Sequence, residues 1–338
     1  MTNALPPQGS DPRQEPSYDV LVVGGTGVDT IVPVDRLAVP GGDAVLVPPI
    51  RDYVAHTGNG VALGFQALGL TTKFIDYLGD DPQGRLILDR YAATGLDFSY
   101  LPAPAGTPRS VNLVDREGRR FSFYDGRHPE GLRLPRAFYL PYLERARHVH
   151  ISRSAHAQEV FADAHRLGRT VSTDLHAWDG EDTSAHPWAY GADLVFLSAA
   201  AVGERIPAVM RQILAHGRAE LVVATDGAAG CRVLARGEQE PRRFPAVVPE
   251  RPVVDSNGAG DAFLTAFLHA RFSGADPAAC VRAGSVSGAF ACGSPGTHEE
   301  VIGAEALAAA VRRARYAHPA ADGAPAATAT DEDAVPTS

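Results

Sequence analysis

The 338-residue sequence predicts an α/β protein: a central, mostly parallel sheet flanked by helices on both faces, with a small β-rich lid beside it. Three observations carry this reading. Short apolar runs rich in Val, Ile and Leu alternate with amphipathic stretches that begin and end on capping residues, the pattern of parallel strands joined by crossover helices. One stretch, 110–124, breaks the alternation and reads as a hairpin. The two ends of the chain have no apolar period, which confines the packed unit to 18–317.

In chain order, residues 1–17 are rich in Pro, Gln and Ser and read as a disordered tail. DVLVV (19–23) is the first strand candidate. Residues 29–56 are strand-like, carry Pro and Gly punctuation and have no helical period; with 107–126 they form the expected lid. In TGNGVALGFQALGL (57–70), Val61, Phe65 and Leu68 fall on one helical face. A strand over 73–78 leads to Asp81 and Pro82, a cap and first-turn pair, and to a helix with Ile87 and Tyr91 on one face that Gly95 closes. Within the hairpin, VNLV and FSFY flank a polar turn at Glu117–Gly118. The next strand is expected over 148–152, followed by a helix with Val160, Ala164 and Leu167 on one face that stops at Gly168. Strands at 170–174 and 193–197 precede a helix containing Pro207, Ile213 and Leu214 that stops at Gly217, and a strand over 221–225 follows. Residues 318–338 are Ala, Pro, Thr and Asp without apolar period and read as a second disordered tail. No internal repeat is apparent.

Bulk properties exclude several classes. A net charge of −9 and a pI near 5.7 argue against nucleic acid or an anionic membrane surface as partner. Small phosphate-bearing ligands remain compatible, because a helix N-terminus binds anions on an acidic protein. Lys73 is the sole lysine among 31 basic residues, which reads as a codon bias. Cys231, Cys280 and Cys292 show no CxxC spacing and read as buried thiols in a reducing compartment. The start lacks the charged-then-apolar pattern of a secretory signal, and no run approaches the ~18 apolar residues of a membrane span. A soluble, cytoplasmic protein is expected.

The strongest motif is Asp255-Ser-Asn-Gly-Ala-Gly-Asp261. It follows an apolar pair, Val253 and Val254, read as a strand, and it opens a helix whose apolar face carries Phe263, Phe267 and Ala270. Gly258 and Gly260 let backbone approach a ligand closely, and the helix start offers free N–H groups and a partial positive charge, a setting suited to phosphate oxygens. Asp261 lies in the first turn beside that nest, where a carboxylate can take a proton from a hydroxyl group. Phosphoryl transfer needs such a base together with electrostatic support for the transferred group. A glycine turn with a helix cap is the plainer reading of a GxGD string.

These residues resemble the D-T-x-G-A-G-D signature of the ribokinase (PfkB) family of carbohydrate and nucleoside kinases, with Ser256 in place of Thr. The resemblance spans about 19–314 and implies a ribokinase-like fold and ATP-dependent phosphorylation of a sugar or nucleoside hydroxyl. It implies Asp261 as the base, Gly258, Ala259 and Gly260 as the anion hole, Asn257 among the nucleotide contacts, and Asp255 near the substrate and a loop for a monovalent cation such as K+. Val23-Gly-Gly-Thr-Gly-Val-Asp29 resembles the family's first strand and substrate-binding acid, so Asp29 is expected on substrate hydroxyls; a turn or cap is its structural alternative. The segment 57–70 resembles the Gly-Gly-x-x-x-Asn loop, but the glycine pair aligns with Ala55 and His56 and the asparagine with Gly60, leaving Asn59 to serve by a one-residue shift. Thr225-Asp-Gly227-Ala-Ala-Gly230 resembles the nucleotide loop, or is a plain turn.

One departure bears on the metal. Where the family has Asn-x-x-Glu after the strand DLVFL, this chain has Ser198-Ala-Ala-Ala201, so a residue that helps organise Mg2+ and phosphate is missing. Ser198 is kept as a nucleotide-side candidate, and no protein metal ligand is expected. A non-catalytic sugar- or nucleotide-binding regulator of the same fold is the competing reading. The resemblance also implies lid pairing in a homodimer. Gly25-x-Gly27-x-x-Thr30 lacks the third glycine of a dinucleotide fingerprint. His148 and His150 have no metal-ligand spacing and read as core histidines. No nucleophile elbow supports hydrolase chemistry.

Overall fold

The computed structural model describes residues 17–38, 41–116 and 120–317. Its main sheet contains nine strands in the order β13-β12-β11-β10-β9-β8-β1-β4-β5. These are β1 (Tyr18–Val23), β4 (Thr72–Leu78), β5 (Asp97–Pro102), β8 (Ala146–Ile151), β9 (Thr170–Asp174), β10 (Leu194–Ser198), β11 (Leu221–Thr225), β12 (Cys231–Ala235) and β13 (Arg242–Phe244). All pairings from β11 to β5 are parallel; β12 and β13 add an antiparallel edge. A separate four-stranded sheet has the order β3-β2-β6-β7, built from β2 (Gly27–Pro33), β3 (Arg51–Ala55), β6 (Arg109–Val114) and β7 (Arg120–Asp125).

The apolar runs of the main strands are continuous because both faces of the sheet are covered. Val20 and Val22 pack on one side and Leu21 and Val23 on the other, all fully buried. One face is packed by α3 (Arg136–Leu143), α4 (Val160–Arg166), α5 (His186–Gly191) and α6 (Ile206–His216). The other is packed by α1 (Thr57–Ala67), α2 (Pro82–Thr94), α7 (Ala259–Phe272) and α8 (Pro277–Ala291), with α9 (Ala304–Arg313) against α8. Phe65, Phe74 and Phe267 are fully buried in that second layer, each contributing about 1.5–3 kcal/mol of apolar burial.

Local chemistry sets the helix ends. Asp81 caps α2 by accepting from the Gly84 N–H at 2.8 Å, Pro82 starts the first turn and Gly95 ends it at φ 69°. Asp276 caps α8 in the same way at Ala279. The expected strands at 19–23, 73–78, 148–152, 170–174, 193–197 and 221–225 correspond to β1, β4, β8, β9, β10 and β11. VNLV and FSFY lie in paired antiparallel strands β6 and β7; their turn at Glu117–Gly118 falls outside the described residues, as do nearly all of both expected tails.

One expected strand is corrected. Val253 and Val254 are in no ladder and are 63% and 52% exposed. The segment crosses the end of α8, where the Val254 N–H donates to the Cys292 carbonyl, and it pairs with no strand among the described residues. Two apolar residues cannot specify a strand without such a neighbour. The three cysteines are free, Cys231 and Cys280 buried and Cys292 half-buried. Among the described residues no helix is long and apolar enough to cross a membrane.

Candidate active site

The parallel strands end on one rim, where a ligand cleft of an open α/β sheet lies. β1 runs into Gly24 and Gly25, β9 ends on Asp174, β10 on Ser198 and β11 on Thr225. Helix α7 starts at the same rim. Gly258 is its N-cap at φ 73°, a left-handed conformation that suits glycine, and Ala259, Gly260 and Asp261 form the first turn. Asp261 is buried there, beside N–H groups with no helical partner.

A second carboxylate lies beside the start of α7: a Cβ on Gly260 would be 4.0 Å from Asp174 Oδ2. Asp174 is buried, and its carboxyl is pushed above the usual carboxylate range, first by burial and further by the charge of Asp261, against the opposing effect of His176 and its backbone N–H. Two like charges sharing a buried site favour a cation between or beside them.

Asp29 sits on β2, in the small sheet, and is also buried. Burial alone would raise its pKa, but a hydrogen bond from His56, the nearby His56 and His298 rings and the Ser110 hydroxyl bring it below the usual range. His56 Nε2 lies 3.5 Å from Asp29 Oδ1 and 3.3 Å from Ser110 Oγ, and Thr297 Oγ1 donates to Asp29 Oδ2 at 3.3 Å. His56 has φ 70°, as a glycine would at the position where the resemblance expects one. Its ring fits because Gly27 carries no Cβ: one would lie 2.1 Å from His56 Cε1. His176 and His298 also have positive φ, at 55° and 63°. Strained side-chain-bearing residues cluster where a fold holds a functional geometry.

The loop after α8 joins the two acids. Thr297 reaches Asp29, and the next residue, His298, places Nε2 2.7 Å from Asp261 Oδ2. Asp255 braces this loop: it accepts from the Asn257 N–H at 2.9 Å, the Asn257 amide at 3.1 Å and the Gly296 N–H at 3.2 Å. Asn257 accepts in turn from Arg120 of β7, so the small sheet touches the start of α7. Asn59 is fully buried, and its amide nitrogen bonds the Val54 carbonyl at 3.2 Å and His298 Nδ1 at 3.1 Å.

The expected nucleotide residues lie farther along the rim. Ser198 and Thr225 are register partners; Ser198 Oγ accepts from the Ala200 N–H and Thr225 donates weakly to the Leu197 carbonyl. Gly227 begins a short 3-10 turn with open space beside it. Gly230 is required by packing, since a Cβ there would meet the Phe244 carbonyl at 2.0 Å. Past α8 a largely apolar cavity of about 110 Å³ is lined by Val247, Val248, Arg251, Val286, Ala289 and Phe290, among others.

A wall of the cleft behind Gly24 holds a third polar group. Asp76, His128 and His156 bring donor atoms within 4.8 Å of one another. Asp76 already accepts from Thr26 N–H at 2.8 Å, Tyr77 N–H at 2.7 Å and His156 Nε2 at 2.8 Å, so the group is a hydrogen-bonded cluster.

Residues 18–302 match the pfkB family of carbohydrate kinases. The chain belongs to that family. It is 49% identical over 290 residues to acarbose 7(IV)-phosphotransferase of Actinoplanes sp., covering 86% of this chain and 97% of that one. A microbiome-derived acarbose kinase superimposes with a TM-score of 0.81 at 47% identity, over 88% of this chain and 99% of the other. Arabidopsis thaliana ribokinase, solved with ribose and ATP, shares the fold with a TM-score of 0.72 at 20% identity, over 87% and 99% of the two chains. This protein is therefore a carbohydrate kinase with a ribokinase-like fold.

The cleft brings the candidates Asp29, Asn59, Asp255 and Asp261 together with Asp174, Thr297 and His298, to which the sequence reading assigned no role, and with His56, which it noted only as a residue aligned with a family glycine. Asp174 had a signal: a lone acid closing a buried strand at the rim. His298 had none, because Gly-Ser-Pro-Gly-Thr-His reads as an ordinary turn.

Proposed function

We propose that this kinase transfers the γ-phosphoryl group of ATP to a hydroxyl of acarbose or a closely similar oligosaccharide-like acceptor, with Asp261 as general base. The observation that carries the reading is the loop at 297–298, whose consecutive side chains touch Asp29 and Asp261; this link supports reading the two acids as acceptor ligand and base of one cleft. Relatives that act on acarbose, at 49% and 47% identity over nearly their full length, support the acceptor; a nucleoside kinase at 26% and a fructokinase at 29% are more distant.

In this mechanism Asp29 and His56 hold acceptor hydroxyls. Asp261 accepts the proton of the reacting hydroxyl as its oxygen bonds to the γ-phosphorus and the bond to the β–γ bridging oxygen breaks, releasing ADP. The N–H groups from Gly258 to Asp261 stabilise charge on the transferred group. Ser198, Thr225, Gly227, Gly230 and Asn257 border the nucleotide, and the apolar cavity beside Ala289 and Phe290 suits its base. The buried Asp174–Asp261 pair fits a cation, so Asp174 with phosphate oxygens would hold Mg2+, which when bound offsets phosphate charge. Asp255 braces a loop of the kind that carries K+. The small sheet acts as a lid, and its exposed Phe121 and Phe123 suit pairing with a second copy. A cytoplasmic location accompanies ATP use.

The test is ADP release with acarbose, a panel of mono- and oligosaccharides, and adenosine. Turnover with acarbose that Asp261→Asn lowers by roughly 10²–10⁴ at unchanged ATP affinity is expected. Preferential turnover of adenosine, or full activity in Asp261→Asn, would overturn the acceptor or the base respectively. ATP binding without turnover of any acceptor would favour the binding-protein alternative.

A further inference from the structure

His298 is clasped from both sides and used at both nitrogens. Its side chain is 5% exposed. A Cβ on Gly60 would lie 2.2 Å from its Nε2, and one on Gly258 would lie 2.6 Å from its Cδ2, so the imidazole fits only because α1 and the start of α7 both carry glycine at their closest approach. The residue holds φ 63°, a conformation that side-chain-bearing residues avoid unless their surroundings impose it.

The hydrogen bonds fix which nitrogen carries the proton. The Val54 carbonyl only accepts, so the atom of Asn59 beside it at 3.2 Å is the amide nitrogen. That same nitrogen lies 3.1 Å from His298 Nδ1, which must therefore accept. In the neutral ring the proton is then on Nε2, and it is donated to Asp261 Oδ2 at 2.7 Å. Among the described residues Asn59 Oδ1 has no hydrogen-bond partner, so Val54 and His298 set the amide orientation. Val54 belongs to β3 of the small sheet. A directed hydrogen-bond chain thus runs from that sheet through Asn59 and His298 to Asp261.

We infer that His298 is a positioning residue for the base, and that the small sheet sets its tautomer through Asn59. The inference rests on Asp261 being the base. The Nε2–H holds Oδ2 and leaves Oδ1 for the acceptor hydroxyl; the acceptor's proton passes to Asp261, and none needs to reach His298. If Val54 draws away, the Asn59 amide is free to turn and offer Oδ1 to Nδ1. That stabilises the opposite tautomer, whose bare Nε2 faces the Asp261 carboxylate lone pair to lone pair. The orientation of the base is therefore coupled to the position of the small sheet.

The tautomer is read directly by 15N NMR of histidine-labelled protein, with the His298 signals assigned by their loss in His298→Gln. A protonated Nε2 and bare Nδ1 are expected; a bare Nε2 or a fully protonated ring near neutral pH would overturn the inference. His298→Ala should lower kcat roughly 10- to 100-fold while the KM for acceptor and for ATP changes less than about threefold. His298→Gln, whose amide can donate to Oδ2, should recover part of that loss. Asn59→Leu should leave a mixture of tautomers and a lower kcat. If Asp261→Asn abolishes turnover but His298→Ala keeps wild-type kcat, the positioning role fails and the base stands. If Asp261→Asn is fully active, the base reading fails first, and NMR still reports whether the relay exists.

Discussion

Thr297 and His298 are adjacent in the chain, yet Thr297 bonds Asp29 of the small sheet and His298 bonds Asp261 of the main body. Any shift of that loop moves contacts to both acids together, and Asp255 restrains it through the Gly296 N–H.

Asp29 and His56 should govern acceptor binding. Asp29→Ala is expected to raise acceptor KM roughly tenfold or more with ATP KM unchanged, since in the proposed reading its carboxylate would accept from substrate hydroxyls. His56→Gly should raise acceptor KM as well, while relieving about 1 kcal/mol of backbone strain at φ 70° and leaving Tm within a few degrees of wild type. A rise in ATP KM instead, at constant acceptor KM, would place both residues outside the acceptor site.

Metal handling should depend on Asp174 in place of the missing glutamate. Asp174→Asn is expected to raise the free Mg2+ needed for half-maximal activity at saturating ATP. The double change Ser198→Asn with Ala201→Glu should lower it in wild type, because a carboxylate at that turn would help hold water around the ion. Equal Mg2+ dependence in all three proteins would leave the ion to ATP and solvent.

Acid should destabilise the fold through two core histidines. His148 and His150 lie side by side on β8 and share the Ser172 hydroxyl, at 2.8 and 3.0 Å. Burial, aided by the charge of Arg271 for His148 and by His148 and His176 for His150, pulls both down to about 3. The unfolded chain takes up these protons below about pH 6.5, while the folded chain resists until near pH 3. Stability is therefore retained above that window and falls as pH drops through it, by up to about 1.4 kcal/mol per pH unit for each histidine. Urea midpoints at pH 7.5 and 5.5 measure the effect. The triple change His148→Leu, His150→Leu and Ser172→Ala should flatten it, and an unchanged slope would assign the acid sensitivity to other groups.

The outer face of the small sheet should pair two copies. Phe121 and Phe123 are 54% and 58% exposed on edge strand β7, and their rings pack at 5.0 Å. Phe121→Glu with Phe123→Glu is expected to convert a dimer to a monomer in light scattering without unfolding the main sheet. A wild-type monomer at tens of micromolar would remove the pairing.

Alternating apolar runs and capping residues determined the α/β body by themselves, because strand and helix periods are local and the Asp81–Gly95 pair of stops is chemical. The glycine-rich start of α7 and its Asp261 were legible for the same reason: the glycines and the adjoining acid lie within seven consecutive residues. Val253–Val254 was misread because a strand needs a pairing partner, and this segment instead crosses the end of α8, where the Val254 N–H bonds the Cys292 carbonyl. Tertiary structure alone decided the rest of the site. His56 occupies a glycine-like conformation beside Gly27, Asp174 meets Asp261 only when β9 and α7 share a rim, and Asn59 reaches His298 across 239 positions. Such contacts depend on which backbones approach closely enough to exclude a Cβ, and separation along the chain carries no record of that distance.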